Sequence, residues 1–235
     1  MRRITYMLVL GCFIFLLTAC TSGGPQITTS TVPPSTHVPT ATPTPAGPPG
    51  GTVLYQSDWS HGLANWGGSP GWKIVGGIPQ SDLSQNNALT LPYKLTITNY
   101  AIEFRFQIVS VPQNGGFFVV TATRTQDKDG YTAGILNLLS PAPHSEFANP
   151  EIQITLDPES AIDSASSNRP SDYDPGDLWH TFRVEVQGPE ANFLADGFSK
   201  GRATSTQTNS LSNGPLQVIC SQAIVRVSSI SIIAL

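Results

Sequence analysis

Tyr100-Ala101-Ile102-Glu103-Phe104-Arg105-Phe106-Gln107-Ile108 puts an apolar residue at every second position. Side chains alternate faces along an extended chain, so Ile102, Phe104, Phe106 and Ile108 share one side and Glu103, Arg105 and Gln107 the other. The pattern recurs outward along the chain. Phe182, Val184 and Val186 alternate with Arg183 and Glu185, and Ile152, Ile154 and Leu156 alternate with Gln153 and Thr155. Leu89 and Leu91 repeat it briefly. From Ala223 to Leu235 the chain is β-rich but changes phase at Ser228-Ser229, where Val225 and Val227 give way to Ile230 and Ile232. One extra residue at that point, a β-bulge, reconciles the two halves. Turn signals separate the runs: Asn114-Gly115-Gly116, Asp127-Lys128-Asp129-Gly130, Asp196-Gly197 and Asn213-Gly214-Pro215. No stretch carries a capped apolar stripe of helical period. One-sided strands must bury their apolar faces against a second sheet, which predicts an all-β, antiparallel β-sandwich.

The N-terminus has a different character. Arg2 and Arg3 precede an apolar run from Tyr6 to Leu17 and then Leu17-Thr18-Ala19-Cys20. A bilayer-spanning helix needs about 20 apolar residues, and this run is much shorter, so it reads as an export signal. Leu-Thr-Ala-Cys resembles the bacterial lipobox. That resemblance implies a lipoprotein: residues 1–19 are a signal peptide, Cys20 carries the lipid, and the domain is exported and anchored to the extracytoplasmic face of the cell membrane. Residues 21–50 then contain no charge, eight Thr and eight Pro. Such a segment has little to bury against the entropy of ordering it. At ~3.1 Å per residue in polyproline geometry it is a stalk reaching up to about 90 Å. Residues 51–235 are the folded domain. Of three cysteines only Cys220 remains there, alternating with Leu216 and Val218 as a small buried hydrophobe.

The folded part carries ten Lys and Arg against sixteen Asp and Glu, a formal charge of −6. No basic run breaks that acidity, which argues against nucleic acid. Trp179-His180-Thr181-Phe182-Arg183-Val184-Glu185-Val186-Gln187-Gly188, followed by Phe193-Leu194-Ala195-Asp196-Gly197, resembles the late hairpin of concanavalin A-like domains. Ser57-Asp58-Trp59 with Gly62-Leu63-Ala64-Asn65-Trp66 resembles the N-terminal strand and its loop, and Trp72 to Gly77 the next short strand. The group includes legume-type lectins, laminin G-like modules and domains related to 3-keto-disaccharide hydrolases. The resemblance spans most of residues 53–234. It implies a jelly roll, closed by pairing of the last strand with the first, and carbohydrate as ligand class.

Catalytic constellations are missing from the sequence pattern. The β-glucanases of that group place alternate carboxylates on one strand, but in Glu151-Ile152-Gln153-Ile154-Thr155-Leu156-Asp157 an amide stands where the middle acid belongs. No Gly-x-Ser-x-Gly elbow occurs. Glu103 and Arg105, two residues apart, read as a surface pair. A metal, if held, would be calcium: Asp172, Asp174 and Asp177 put three carboxylates in six residues, although the spacing is not an EF-hand and also suits a turn. Residues 140–150 and 158–178 read as long irregular loops able to hold a ligand. Trp66, Trp72 and Tyr173 are the aromatic candidates for stacking on sugar rings. Trp59 and Trp179 are assigned to the core. These readings converge on a lipid-anchored surface protein that binds glycan or another extracellular polymer without chemistry. A hydrolase drawing its acids from separate loops and an adhesin binding protein through a sheet face are the alternatives.

Overall fold

A computed structural model describes residues 47–112, 115–138, 149–155, 162–167 and 176–235. The alternating segments become strands, and among the described residues every named element is a strand. In chain order they are β1 (Val53–Gln56), β2 (Gly67–Gly68), β3 (Trp72–Val75), β4 (Ile78–Ser81), β5 (Asn87–Thr90), β6 (Tyr100–Ser110), β7 (Gly116–Ala122) and β8 (Gly130–Leu138). There follow β9 (Asn149–Thr155), β10 (Ile162–Ser167), β11 (Trp179–Gln187), β12 (Glu190–Ala195), β13 (Phe198–Thr204), β14 (Leu216–Ser221) and β15 (Ile224–Ala234). They form two antiparallel sheets. Sheet A runs β13-β12-β11-β6-β15-β4-β3, with β1 added on β15, and sheet B runs β10-β9-β8-β7-β14-β5-β2.

The apolar faces meet between the sheets, as the period-2 pattern requires. Phe104, Phe106, Phe182 and Phe193 of sheet A and Phe118 of sheet B are fully buried. Phe106 and Phe182 lie 4.1 Å apart between ring centroids, and Phe104 meets Phe118 edge to face at 5.4 Å. Such aromatic pairs add about 0.5–1.5 kcal/mol each beyond the area they bury. Tyr100 and Tyr131, one from each sheet, share a hydroxyl–hydroxyl hydrogen bond of 3.1 Å inside the core. Cys220 is buried and unpaired, and burial pushes its thiol pKa up, against a smaller opposing effect of its hydrogen bond with Ser81.

The expected closure is present: β15 pairs antiparallel with β1, and its register against β6 shifts between Val227 and Ser229, where the phase of the sequence changes. Asp196 and Gly197 turn the chain from β12 into β13 with φ of 51° and 81°, the left-handed pair that a two-residue hairpin requires. Three readings need correction. Residues 162–167 are not loop but strand β10, the edge of sheet B; its Ile-Asp-Ser-Ala-Ser-Ser run has no apolar face, and its Asp163 and Ser164 side chains instead take hydrogen bonds from Thr206 and the Thr204 amide. Trp179 lies on the outer face of sheet A, opposite the buried Phe182, and Trp59 is half-buried against the core margin with Nε1 donating to the Ser228 carbonyl at 2.8 Å. Glu103 and Arg105 do not pair. Glu103 takes Arg183 at 3.4 Å from the neighbouring strand, and the Arg105 guanidinium sits 5.5 Å from the Trp179 ring centroid.

Candidate functional site

Sheet B presents an outer face built by alternation. In β5, β14, β7, β8 and β9 the inward positions are Leu89, Val218, Val120, Tyr131 and Ile152, all buried. The outward neighbours are brought level by the register. Gly67 pairs with Thr90, Thr90 with Gln217, Gln217 with Thr121, Thr121 with Thr132, and Thr132 with Gln153. A row of hydroxyls and amides therefore crosses six strands, about 24 Å at the usual strand spacing. It is internally hydrogen bonded. Gln217 Nε2 donates to Thr90 Oγ1 at 3.0 Å, Thr132 Oγ1 to Thr121 Oγ1 at 3.1 Å, and Thr121 Oγ1 to the Tyr131 carbonyl at 2.8 Å. Those bonds fix the rotamers and so pre-organise the row.

Beside it the next outward residues are small or apolar: Ala88, Ile219, Val119 and Gly134, in register across β5, β14, β7 and β8. Gly134 is required there. A Cβ on it would stand 2.2 Å from the Phe118 carbonyl oxygen and 2.6 Å from Val119 Cα, both backbone atoms of the neighbouring strand. Further along the same face a hollow of about 310 Å³ opens between Phe117, Leu136, Asn137, Ser221 and Gln222.

At the Thr90 end the row meets an aromatic corner. A pocket of about 440 Å³ is lined by Thr90, Tyr93, Lys94, Leu95, Asn213 and Pro215 among others. Tyr93 lies 5.4 Å from Tyr55, Tyr55 lies 6.4 Å from Trp66, and Trp66 packs on Trp59 at 4.7 Å. All four rings are half-buried and rest against the core. Asn65, in the left-handed conformation at φ 71°, precedes Trp66 and starts the turn into β2. Burial, with a smaller effect of the Asp58 charge, raises the Tyr55 hydroxyl pKa, so the phenol stays neutral across the physiological range.

Of the aromatic candidates read from the sequence, Trp66 is in this corner. Trp72 is not available to a ligand: it is 4% exposed, and its Nε1 donates to the Asn87 carbonyl at 3.1 Å. Tyr173, Asp172 and Asp174 lie outside the described residues, as does Cys20. Asp177 is exposed, and its carbonyl accepts from Gln107 Nε2 at 2.7 Å. Among the described residues no group of three His, Cys, Asp or Glu is placed to hold a metal. Alternation offered the signal for Thr121, Thr132, Gln153 and Gln217, but only the register brings them level. Tyr93, in a loop, gave no sequence signal.

The electrostatics of the face are simple. Glu151 is the acid that the described strands of sheet B aim outward, and it accepts from Asn149 Nδ2 at 3.2 Å and from Gln153 Nε2. Asp163, at the bulge in β10, is engaged instead by the Thr206 amide at 2.7 Å and hydroxyl at 2.6 Å. Asp129 is buried and takes the Ser205 hydroxyl and, at 3.8 Å, Arg124. Retaining glycosidases need two carboxyl groups about 5 Å apart facing one cleft. The described face holds one.

No protein-family model matches the chain, and no curated protein matches it in sequence. Its fold is nevertheless found among solved structures. A Bacillus subtilis protein of unknown function with a galectin-like fold aligns with TM-score 0.58 at 8% identity, over 79% of this chain and 97% of that one. The laminarinase catalytic domain of Thermotoga maritima gives 0.57 at 11% identity, over 79% and 99%. A carbohydrate-binding module from Bacillus subtilis gives 0.53 at 11% identity, over 72% and 96%. At these identities the likeness establishes the fold, a galectin-like jelly-roll sandwich of the concanavalin A type, and no more.

Proposed function

We propose that this chain is a lipid-anchored surface protein whose sandwich binds a neutral glycan, without chemistry, along the outer face of sheet B. The observation that carries the reading is the continuity at Thr90 between the aromatic corner and the hydroxyl–amide row. A sugar offers apolar ring faces and a fringe of hydroxyls. The ring of Tyr93, which lines the pocket beside Thr90, and that of Trp66, joined to it through Tyr55, suit the first, and Thr90, Gln217, Thr121, Thr132 and Gln153 suit the second. The row carries no formal charge, as an uncharged polymer requires. Fold likeness to a carbohydrate-binding module supports the ligand class. Glu151 as the one outward acid among the described strands of sheet B favours binding over hydrolysis. Cys20 and the Thr/Pro stalk support attachment to a membrane with the sandwich held away from it, and calcium bound through Asp172, Asp174 and Asp177 remains part of the proposal.

The test is incubation of the full chain with a panel of soluble and insoluble neutral polysaccharides, reading retained protein and released reducing ends together, with and without calcium. Retention without release supports the proposal. Release of reducing ends would replace it with a hydrolase. Loss of both signals would favour the protein-binding adhesin.

A further inference from the structure

The outer face of sheet A has a different chemistry, and its charges divide along the strands. At one end they are matched: Arg183 pairs with Glu103 at 3.4 Å and Glu185 at 2.8 Å, and Arg202 with Glu190 at 3.3 Å. At the other end the register aligns Lys73 with Gln80, Gln80 with Arg226, Arg226 with Gln107, and Gln107 with Trp179. These five residues come from β3, β4, β15, β6 and β11 and span about 19 Å across the sheet. Arg105, two residues from Gln107 on the same face, lies against the Trp179 ring and adds a third cation.

None of the three cations has a carboxylate in salt-bridge contact among the described residues. Lys73 is exposed and has one acidic neighbour, Asp82, whose carboxylate is already bonded by Ser84 and Asn87. Arg105 is exposed, and its guanidinium lies against Trp179 with no carboxylate in salt-bridge contact among the described residues. Arg226 is half-buried. Its Nε is sealed from solvent with no hydrogen-bond partner, and its guanidinium reaches the Gly76 turn, where a Cβ would stand 3.5 Å from Nη2. Leaving a charged donor desolvated and unpaired costs free energy, as at Arg226 Nε, and the exposed Lys73 in the same row and Arg105 beside it add two cations without a salt-bridge partner, so this end of the sheet is locally complementary to anions although the protein's net charge is negative.

We infer that this end of the outer face of sheet A is a second binding surface, for an acidic polysaccharide. Arg226 and Lys73 meet carboxylates, Gln80 and Gln107 meet hydroxyls, and the Trp179 edge contacts a ring. Alternating amides and cations fit a polymer bearing both hydroxyls and carboxylates along its length. The molecule is then two-sided, with a neutral polymer on sheet B and an anionic one on sheet A.

The probe is polygalacturonate, immobilised and offered to the full chain in detergent at about 50 mM and about 300 mM salt, which brackets the range where screening becomes strong. Retention at low salt that weakens at least severalfold at high salt is expected. The K73Q/R105Q/R226Q variant should lose about tenfold or more in affinity, and Lys73→Gln alone, on an exposed edge strand where folding is not at issue, about threefold. Trp66→Ala should leave this binding unchanged while weakening neutral-glycan binding, so the two surfaces fail separately. Equal retention of parent and triple variant at equal melting temperature overturns the inference, as does salt-insensitive retention. Capture of anionic phospholipid vesicles in place of polygalacturonate overturns it in favour of a membrane-facing surface.

Discussion

Replacing Trp66 by alanine separates what its ring does for the fold from what it does for a ligand. An aromatic side chain buries about 150–250 Å² when fully enclosed, so one face offered to a sugar covers about 100 Å² at most. At ~25 cal/mol per Å², and with part of the ring already against Trp59, that contact contributes about 2 kcal/mol, or about thirtyfold in Kd. The same substitution removes the 4.7 Å packing on Trp59 and the contact with the core margin. Full truncation of a buried Trp costs about 3–5 kcal/mol; for this half-buried ring about 2 kcal/mol is expected, a fall in melting temperature of about 4–8 °C for a domain of this size. Isothermal titration with a glycan retained in the polysaccharide panel, at a temperature well below both melting transitions, measures the first effect apart from the second. Trp66→Phe should recover at least half of the binding loss. A Kd within about threefold of the parent, with the melting temperature lowered as stated, would show the ring to be packing only and remove the aromatic corner from the site.

Further outcomes test the frame around that site. Gly134→Ala should destabilise the domain by about 2–4 kcal/mol in chemical denaturation, because the added methyl meets the backbone of β7 and not a side chain that can move aside. Gly77→Ala, with open space around its Cβ, should cost only about 1 kcal/mol for its φ of 82°. Ser205→Ala should cost about 1–3 kcal/mol by thermal melting, since it strips the hydroxyl donor from the buried Asp129 carboxylate. Stability should also decline with alkaline pH. Cys220, Tyr100 and Tyr131 all have pKa values raised by burial, so above the ordinary thiol range of about 8.5, and again above about 10, the unfolded chain releases protons that the folded chain retains. Melting temperatures measured from neutral pH upward should fall through those ranges, and Cys220→Ala should flatten the first part of the decline.

The sandwich was legible because its decisive signals are local. Alternation in Tyr100–Ile108 needs nothing beyond its own residues to choose a face, and the phase change at Ser228-Ser229 locates a bulge without knowledge of the partner strand. The two surfaces were not legible, for the complementary reason. Thr90 and Gln217 lie 127 residues apart, and only the register of β5 on β14 makes them neighbours. Lys73, Arg105 and Arg226 are equally scattered, so the absence of a basic run hid a basic row. Tryptophan misled in both directions. Trp72 looked displayed and is sealed in the core by its bond to Asn87, whereas Trp179 looked buried and lies outside, because residue type fixes the appetite for burial but strand phase fixes the side.

Strand β1 has one neighbour, β15, and its register slips between Val53 and Tyr55. Tension carried by the chain ahead of Gly51 enters the domain through this strand before any other. The backbone bonds of Gly51, Thr52, Val53–Gln56 and Ser57, the Gln56 and Ser57 side-chain bonds to β15, and the Leu54, Tyr55 and Trp59 side chains resist it, ahead of the pairing of β6 with β11 and the phenylalanine core. Tyr55 also supports Trp66 and Tyr93. A pull strong enough to peel β1 would therefore loosen the aromatic corner while leaving the rest of the sandwich standing, so the grip proposed for that corner would be the first thing lost to force applied from the N-terminal side.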